Sequence, residues 1–132
     1  MLRALPPLLL LAVAAATHAQ DTSPGDSLPL YDNLGDYSRT IATPSARAQA
    51  YFDQGLRLTY GFGHNEAVRS FREAIRYDSA CAMCWWGIAW ARGPYINAEM
   101  DSAGAVEAYA AIQEAVQLTH GATDIESAAL LT

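Results

Sequence analysis

The chain's two cysteines stand three residues apart, in Cys81-Ala82-Met83-Cys84. On a helix that spacing leaves the Cα atoms ~5 Å apart, inside the range a disulfide spans although the side chains splay. We expect a local disulfide between Cys81 and Cys84, since an oxidising compartment favours the bridge. Three other chemistries are open to the pair. It can be two unbridged core thiols. It can be a redox-active dithiol activated by a helix N-terminus, a reading weakened because no strand precedes the helix. It can be a soft-metal site, copper(I) with Met83 or a histidine as a further ligand. Covalent haem is disfavoured by Trp85, which occupies the place where that attachment motif needs histidine. His64 and His120 fall at helix ends, where a lone histidine is a cap or a packing residue, and neither is assigned as a ligand. No nucleophile beside a histidine motif, no glycine-rich phosphate loop and no HExxH occurs, so we expect neither an enzyme nor a cofactor.

These residues need elements to position them. Thr43 as N-cap with Pro44 at the first helical position predicts a helix to Tyr60, stopped by Gly61. Asn65 is expected to cap a second helix, Glu66 to about Tyr77, with Ala67, Phe71, Ala74 and Ile75 on one face. Asp78 or Ser79 is expected to cap a third, which runs to Arg92 and ends at Gly93-Pro94. After a loop to Met100, Ser102 opens a fourth helix with Val106, Tyr109, Ile112, Ala115, Val116 and Leu118 as its apolar stripe, ended by His120-Gly121. Thr123 with Glu126 makes a capping box that begins another hairpin over 123–132. Alanines at interhelical positions, Ala67, Ala74, Ala89, Ala108 and Ala115, let helices approach closely. Asp53, Glu66, Glu73, Glu99, Glu107 and Glu114 are read as surface charges, and Arg69, Arg72, Arg76 and Glu73 as an exposed face with local pairs. The fold class is all-α, built of antiparallel helical hairpins.

Ahead of the helices lie two different segments. Arg3, the apolar run from Leu8 to Ala16 and the small Ala19 read as a secretory signal cleaved after Ala19, too short to cross a bilayer as a helix. Residues 20–43 carry Pro24, Gly25, Pro29, Asn33 and Gly35 and no helical period, so they form a linker or extended arm. Leu28, Leu30, Tyr31, Leu34 and Tyr37 make it apolar enough to lie against the domain. The expected compartment is periplasmic or extracellular, with no integral membrane segment after cleavage.

Composition narrows the function. Hydrophobic residues make up 52% and charged residues 17%, a globular balance that excludes a wholly disordered chain. The formal charge is −6 and all eight cations are arginines without a cluster, so there is no footprint for nucleic acid. At 132 residues the chain has room for one domain at most and fewer than three 34-residue repeats after the signal.

A repeat is nevertheless present. In the first unit Tyr51 and Gly55 precede Ala67, Phe71 and Ala74, then the break at Asp78-Ser79. A step of 34 residues carries Tyr51 to Trp85 and Gly55 to Ala89. The second unit continues with Ala108, Ile112 and Ala115, and a seven-residue insertion falls in the Gly93–Met100 loop. This ordered set resembles the tetratricopeptide repeat family over residues 48 to 122, with Ser79, His120 and Arg92 as departures. The stretch is also similar to the N-terminal part of longer exported bacterial proteins of that family. The resemblance implies a short solenoid of two hairpins, about 48–81 and 82–122, followed by a third that the chain only begins. It also implies a concave wall carrying Phe52, Leu56, Tyr60, Met83, Trp86 and Trp90, suited to a peptide or protein partner of unknown identity. The alternative for those six is burial beneath the arm 28–37 or beneath further repeats. On this reading the chain is a fragment of a longer repeat protein, or one whose core a partner completes.

Overall fold

The computed structural model describes residues 28–119, and the signal, Ala19, His120 and the Thr123–Glu126 box lie outside them. Among the described residues the fold is all-α: α1 (Ala46–Tyr60), α2 (His64–Tyr77), α3 (Ala82–Arg92) and α4 (Ser102–Leu118) pack against one another with no strand.

Helix starts differ from expectation in instructive ways. The α1 N-cap is Ser45, whose side chain accepts from the Ala48 N–H at 3.2 Å, so Pro44 lies outside the helix. Thr43 instead accepts from the Ser45 N–H at 3.2 Å and donates to Asp78 at the end of α2. The α2 N-cap is Gly63, without a side-chain cap; Asn65 lies inside the helix and accepts from Arg92 at 2.8 Å. Asp78 closes α2, and α3 begins only after Cys81, whose sulfur accepts from the Cys84 N–H at 3.1 Å. Asp101 caps α4, accepting from the Gly104 N–H at 2.6 Å. The helix ends follow the sequence more closely, because glycine stops α1 at Gly61 and α3 at Gly93.

Phe71 on α2 is the centre of the core. Its ring is fully buried, tilted against Phe52 at 5.7 Å, and lies between α1 and α3. Both neighbours present glycine: a Cβ at Gly55 would come within 2.5 Å of the ring and one at Gly87 within 2.6 Å. The small residue of α3 that faces Phe71 is therefore Gly87, not Ala89, which the 34-residue step had paired with Gly55. Burying such a ring contributes ~1.5–3 kcal/mol, and the close approach it depends on exists because both partners lack a side chain.

The arm, 28–43, lies along α1. Leu28 and Ile41 are buried in the core cluster, while Leu30, Tyr31 and Tyr37 stay largely exposed. Its backbone is held by side chains of α1. Gln54 accepts from the Tyr31 N–H at 2.7 Å and donates to the Pro29 carbonyl at 3.1 Å. Asp53 accepts from the Ser38 hydroxyl at 2.7 Å and the Arg39 N–H at 3.0 Å. Gln49 accepts from the Ile41 N–H, and Arg57 donates to the Tyr37 carbonyl at 2.6 Å. Asp53 and Glu73 are buried, contrary to the surface reading, and Glu73 pairs with Arg76 at 3.0 Å.

On α4 the expected apolar stripe is turned outward at Val106 and Tyr109, 71% and 68% exposed, while Ala111 and Ala115 are buried. The reason lies on the facing helix. Trp85 and Ile88 of α3 face Ala110 and Ala111 of α4 across a cleft of about 250 Å³, so the small side of α4 is the one turned to α3. Glu107 then ties three helices together, accepting from Arg92 of α3 at 2.6 Å and from Arg72 of α2.

Candidate functional site

The six residues expected on one wall are divided by the structure. Phe52 (0%), Leu56 (3%) and Met83 (9%) are buried and cannot meet a partner. The first two are covered because Phe71 and the core fill that side of α1. Tyr60 is exposed, and Trp86 and Trp90 are half-buried, packed on the core from one side.

These three form a continuous aromatic row. The rings of Trp86 and Trp90, one turn apart on α3, stack at 5.4 Å with planes 19° apart. Tyr60, at the last turn of α1, meets Trp90 edge-on at 5.3 Å. Tyr37 of the arm meets Tyr60 edge-on at 5.7 Å, and sequence reasoning had placed it only on the arm. Stacked and edge-to-face pairs of this kind contribute ~0.5–1.5 kcal/mol each, so the row is fixed in place before anything binds. Rigid, amphipathic rings at a surface give large contact area at little entropic cost, the property that makes tryptophan and tyrosine anchors of recognition.

The cysteines form the expected pair. Cys81 and Cys84 are bridged, with Cα atoms 5.3 Å apart. Both are buried, at 1% and 0% exposure, so no incoming thiolate reaches either sulfur. The bridge closes the first turn of α3, where Cys81 is itself the cap. Among the described residues no group of three or more histidine, cysteine or carboxylate side chains could hold a metal ion. No helix among them is long and apolar enough to cross a membrane.

Polar and aromatic groups also gather at both ends of α2. Tyr51 marks the near end: its hydroxyl donates to the Leu28 carbonyl at 2.6 Å and its ring stacks on Tyr77 at 5.7 Å. Burial, with the neighbouring Tyr77 and Glu73, pushes the Tyr51 phenol above its ordinary value. At the far end His64 is the first residue of α2 and stacks on Tyr95 of the Gly93–Met100 loop at 4.0 Å.

No model of a known protein family matches the chain, and no curated protein or solved structure matches it.

Proposed function

We propose that the chain is an exported interaction module of the tetratricopeptide type, which holds a peptide or protein segment against the aromatic face of α1 and α3. The observation that carries this reading is the unbroken row Tyr37, Tyr60, Trp90 and Trp86, kept at the surface although each ring has enough apolar area to belong to a core. The two-hairpin order of helices and the wedge of Phe71 between a small residue of α1 and one of α3 support the repeat type. A disulfide in a chain that opens with Arg3 and an apolar run supports export. The thiol-redox and metal-handling alternative draws no support from a bridge this deeply covered.

The test is selection of binders from a displayed library of short peptides, followed by affinity measurement on variants. Trp90→Ala and Trp86→Ala are expected to weaken the selected peptides at least tenfold with the helical circular dichroism unchanged. Because the tryptophans touch the core, Tyr60→Ser serves as the second variant: this side chain is 61% exposed, and its loss leaves the core intact. Peptides that bind all three variants as they bind the wild type would sink the reading.

A further inference from the structure

The turn between α1 and α2 and the loop between α3 and α4 enclose a cleft of about 450 Å³, within the range of small-ligand sites. Three independent features converge on it. Phe62 holds a left-handed backbone, φ 63°, the only non-glycine residue to do so among the described residues, and such strain in a bulky residue concentrates at functional positions. Tyr95 sits on the loop that departs from the repeat spacing, fixed by paired backbone bonds to Ala98 at 3.0 and 3.2 Å. His64 between them has both ring nitrogens shut off from solvent without a hydrogen-bond partner among the described residues, a state that native proteins seldom leave unexplained.

The three rings form a closed triangle, with centroids 6.3 Å from Phe62 to His64, 6.3 Å from Phe62 to Tyr95 and 4.0 Å from His64 to Tyr95. Glu99, Asp101 and Glu107 line the same cleft, against a single cation, Arg92. Arg92 is already engaged by Glu107 and Asn65, and Asp101 by its own helix cap, so Glu99 is the lining carboxylate without a partner among the described residues. Aromatic faces bordered by a surplus of carboxylates attract a delocalised cation through both ring quadrupole and charge.

We propose that this cleft binds an organic cation, a guanidinium or alkylammonium group, on the exposed Phe62 and Tyr95 rings, with His64 stacked face to face behind Tyr95 and Glu99 as the counter-charge. The site is separate from the aromatic face of α1 and α3 and does not rest on the function proposed for it. The ligand chemistry is common to a free amine and to an arginine side chain of a peptide, and two probes separate them.

The full-length protein is titrated with agmatine and with an acetyl-Gly-Arg-Gly amide peptide while its aromatic proton resonances are followed by NMR. Saturable shifts of the Phe62, His64 and Tyr95 rings are expected, with the Trp86 and Trp90 indole signals unmoved. N-Butylurea, which carries neither the guanidinium nor the ammonium of agmatine, should bind at least tenfold more weakly. Tyr95→Ala and Glu99→Gln, both exposed loop positions, should each weaken agmatine by ~2- to 5-fold, the range of an exposed cation–π contact for the first and of an exposed ion pair for the second. A peptide that binds tenfold tighter than agmatine identifies a protein side chain as the source, and equal affinities identify a free amine. The proposal is overturned if N-butylurea binds equally, if neither variant changes the half-saturation point, if no shift saturates, or if the indoles respond in place of the cleft rings.

Discussion

The ring of Phe71 occupies the space that Gly55 and Gly87 leave open, so the consequence of enlarging either glycine is set by that ring and not by the helix it belongs to. Alanine normally improves a helix interior over glycine by ~1 kcal/mol. At Gly87 the added methyl meets a ring with 0% exposure that has nowhere to move, and overpacking of this kind costs ~1–3 kcal/mol. Gly87→Ala is therefore expected to lower stability in urea unfolding, by up to ~2 kcal/mol net. In a Phe71→Leu background the same change should lose most of its penalty, since the two positions share one space. A Gly87→Ala protein more stable than wild type would show that the ring gives way. Phe71, Ala67 and Ala74 were readable in the sequence as one face of α2, and Gly55 as the small residue four positions after Tyr51 in the repeat pattern. Gly87 was not: counting repeats led to Ala89, whereas the contact is decided by where a planar ring points. Phe62 and Tyr95 escaped for a related reason, since a left-handed turn residue and a loop ring carry no period to detect.

At the scale of elements, the arm and α1 are joined by side chains that read backbone, with Asp53 at the centre. Its carboxylate accepts from Ser38, Arg39 and Gln49. Hydrogen bonds to a charged group contribute ~1.5–3 kcal/mol, and Asp53→Ala removes the acceptor from all three donors. Faster amide exchange at Arg39 and Ile41, with α2 and α3 protected as before, is the expected outcome. Unchanged exchange at both amides would mean that Gln49, Gln54 and Arg57, with the burial of Leu28 and Ile41, hold the arm without Asp53. The arm's extended character and apolar residues were legible, but its attachment was not, because an aspartate and two glutamines on a helix look like solvated surface until a neighbouring backbone needs them. Helix ends were legible wherever glycine stops a turn. Starts were less so: Thr43 and Ser45 offer equivalent hydroxyls, and a half-cystine sulfur serves as cap at α3 where hydroxyl or carboxylate was sought. The stripe of α4 differs because Val106 and Tyr109 face outward while Ala111 and Ala115 are buried, so the helix packs by its small residues and not by its large ones.

For the whole molecule, the same core gives stability a defined dependence on pH. Tyr51 joins the arm to α1 and stacks on α2, and its phenol is held above the ordinary value of ~10. The folded state favours the neutral phenol, so this contribution is complete below pH ~10 and is lost as pH rises through the raised value. Alkaline unfolding should therefore steepen above pH ~10. Tyr51→Phe should be less stable at neutral pH by ~1 kcal/mol, through loss of the bond to the Leu28 carbonyl, yet flatter in the alkaline range. Parallel profiles for the two proteins, measured by urea midpoints across pH, would remove Tyr51 from this role.

The arm carries one more consequence, for how the chain comes together. Its bonds to α1 link residues only 8 to 25 positions apart, from Ile41–Gln49 to Pro29–Gln54, and even the tie from α2 to α4 through Arg72 and Glu107 spans 35. Each layer thus finds its partner in the stretch that immediately follows it. A chain with contacts this local closes few long loops and folds quickly. During synthesis from the N-terminus, each helix therefore meets as its main partner the one made just before it, α2 on α1, α3 on α2 and α4 on α3.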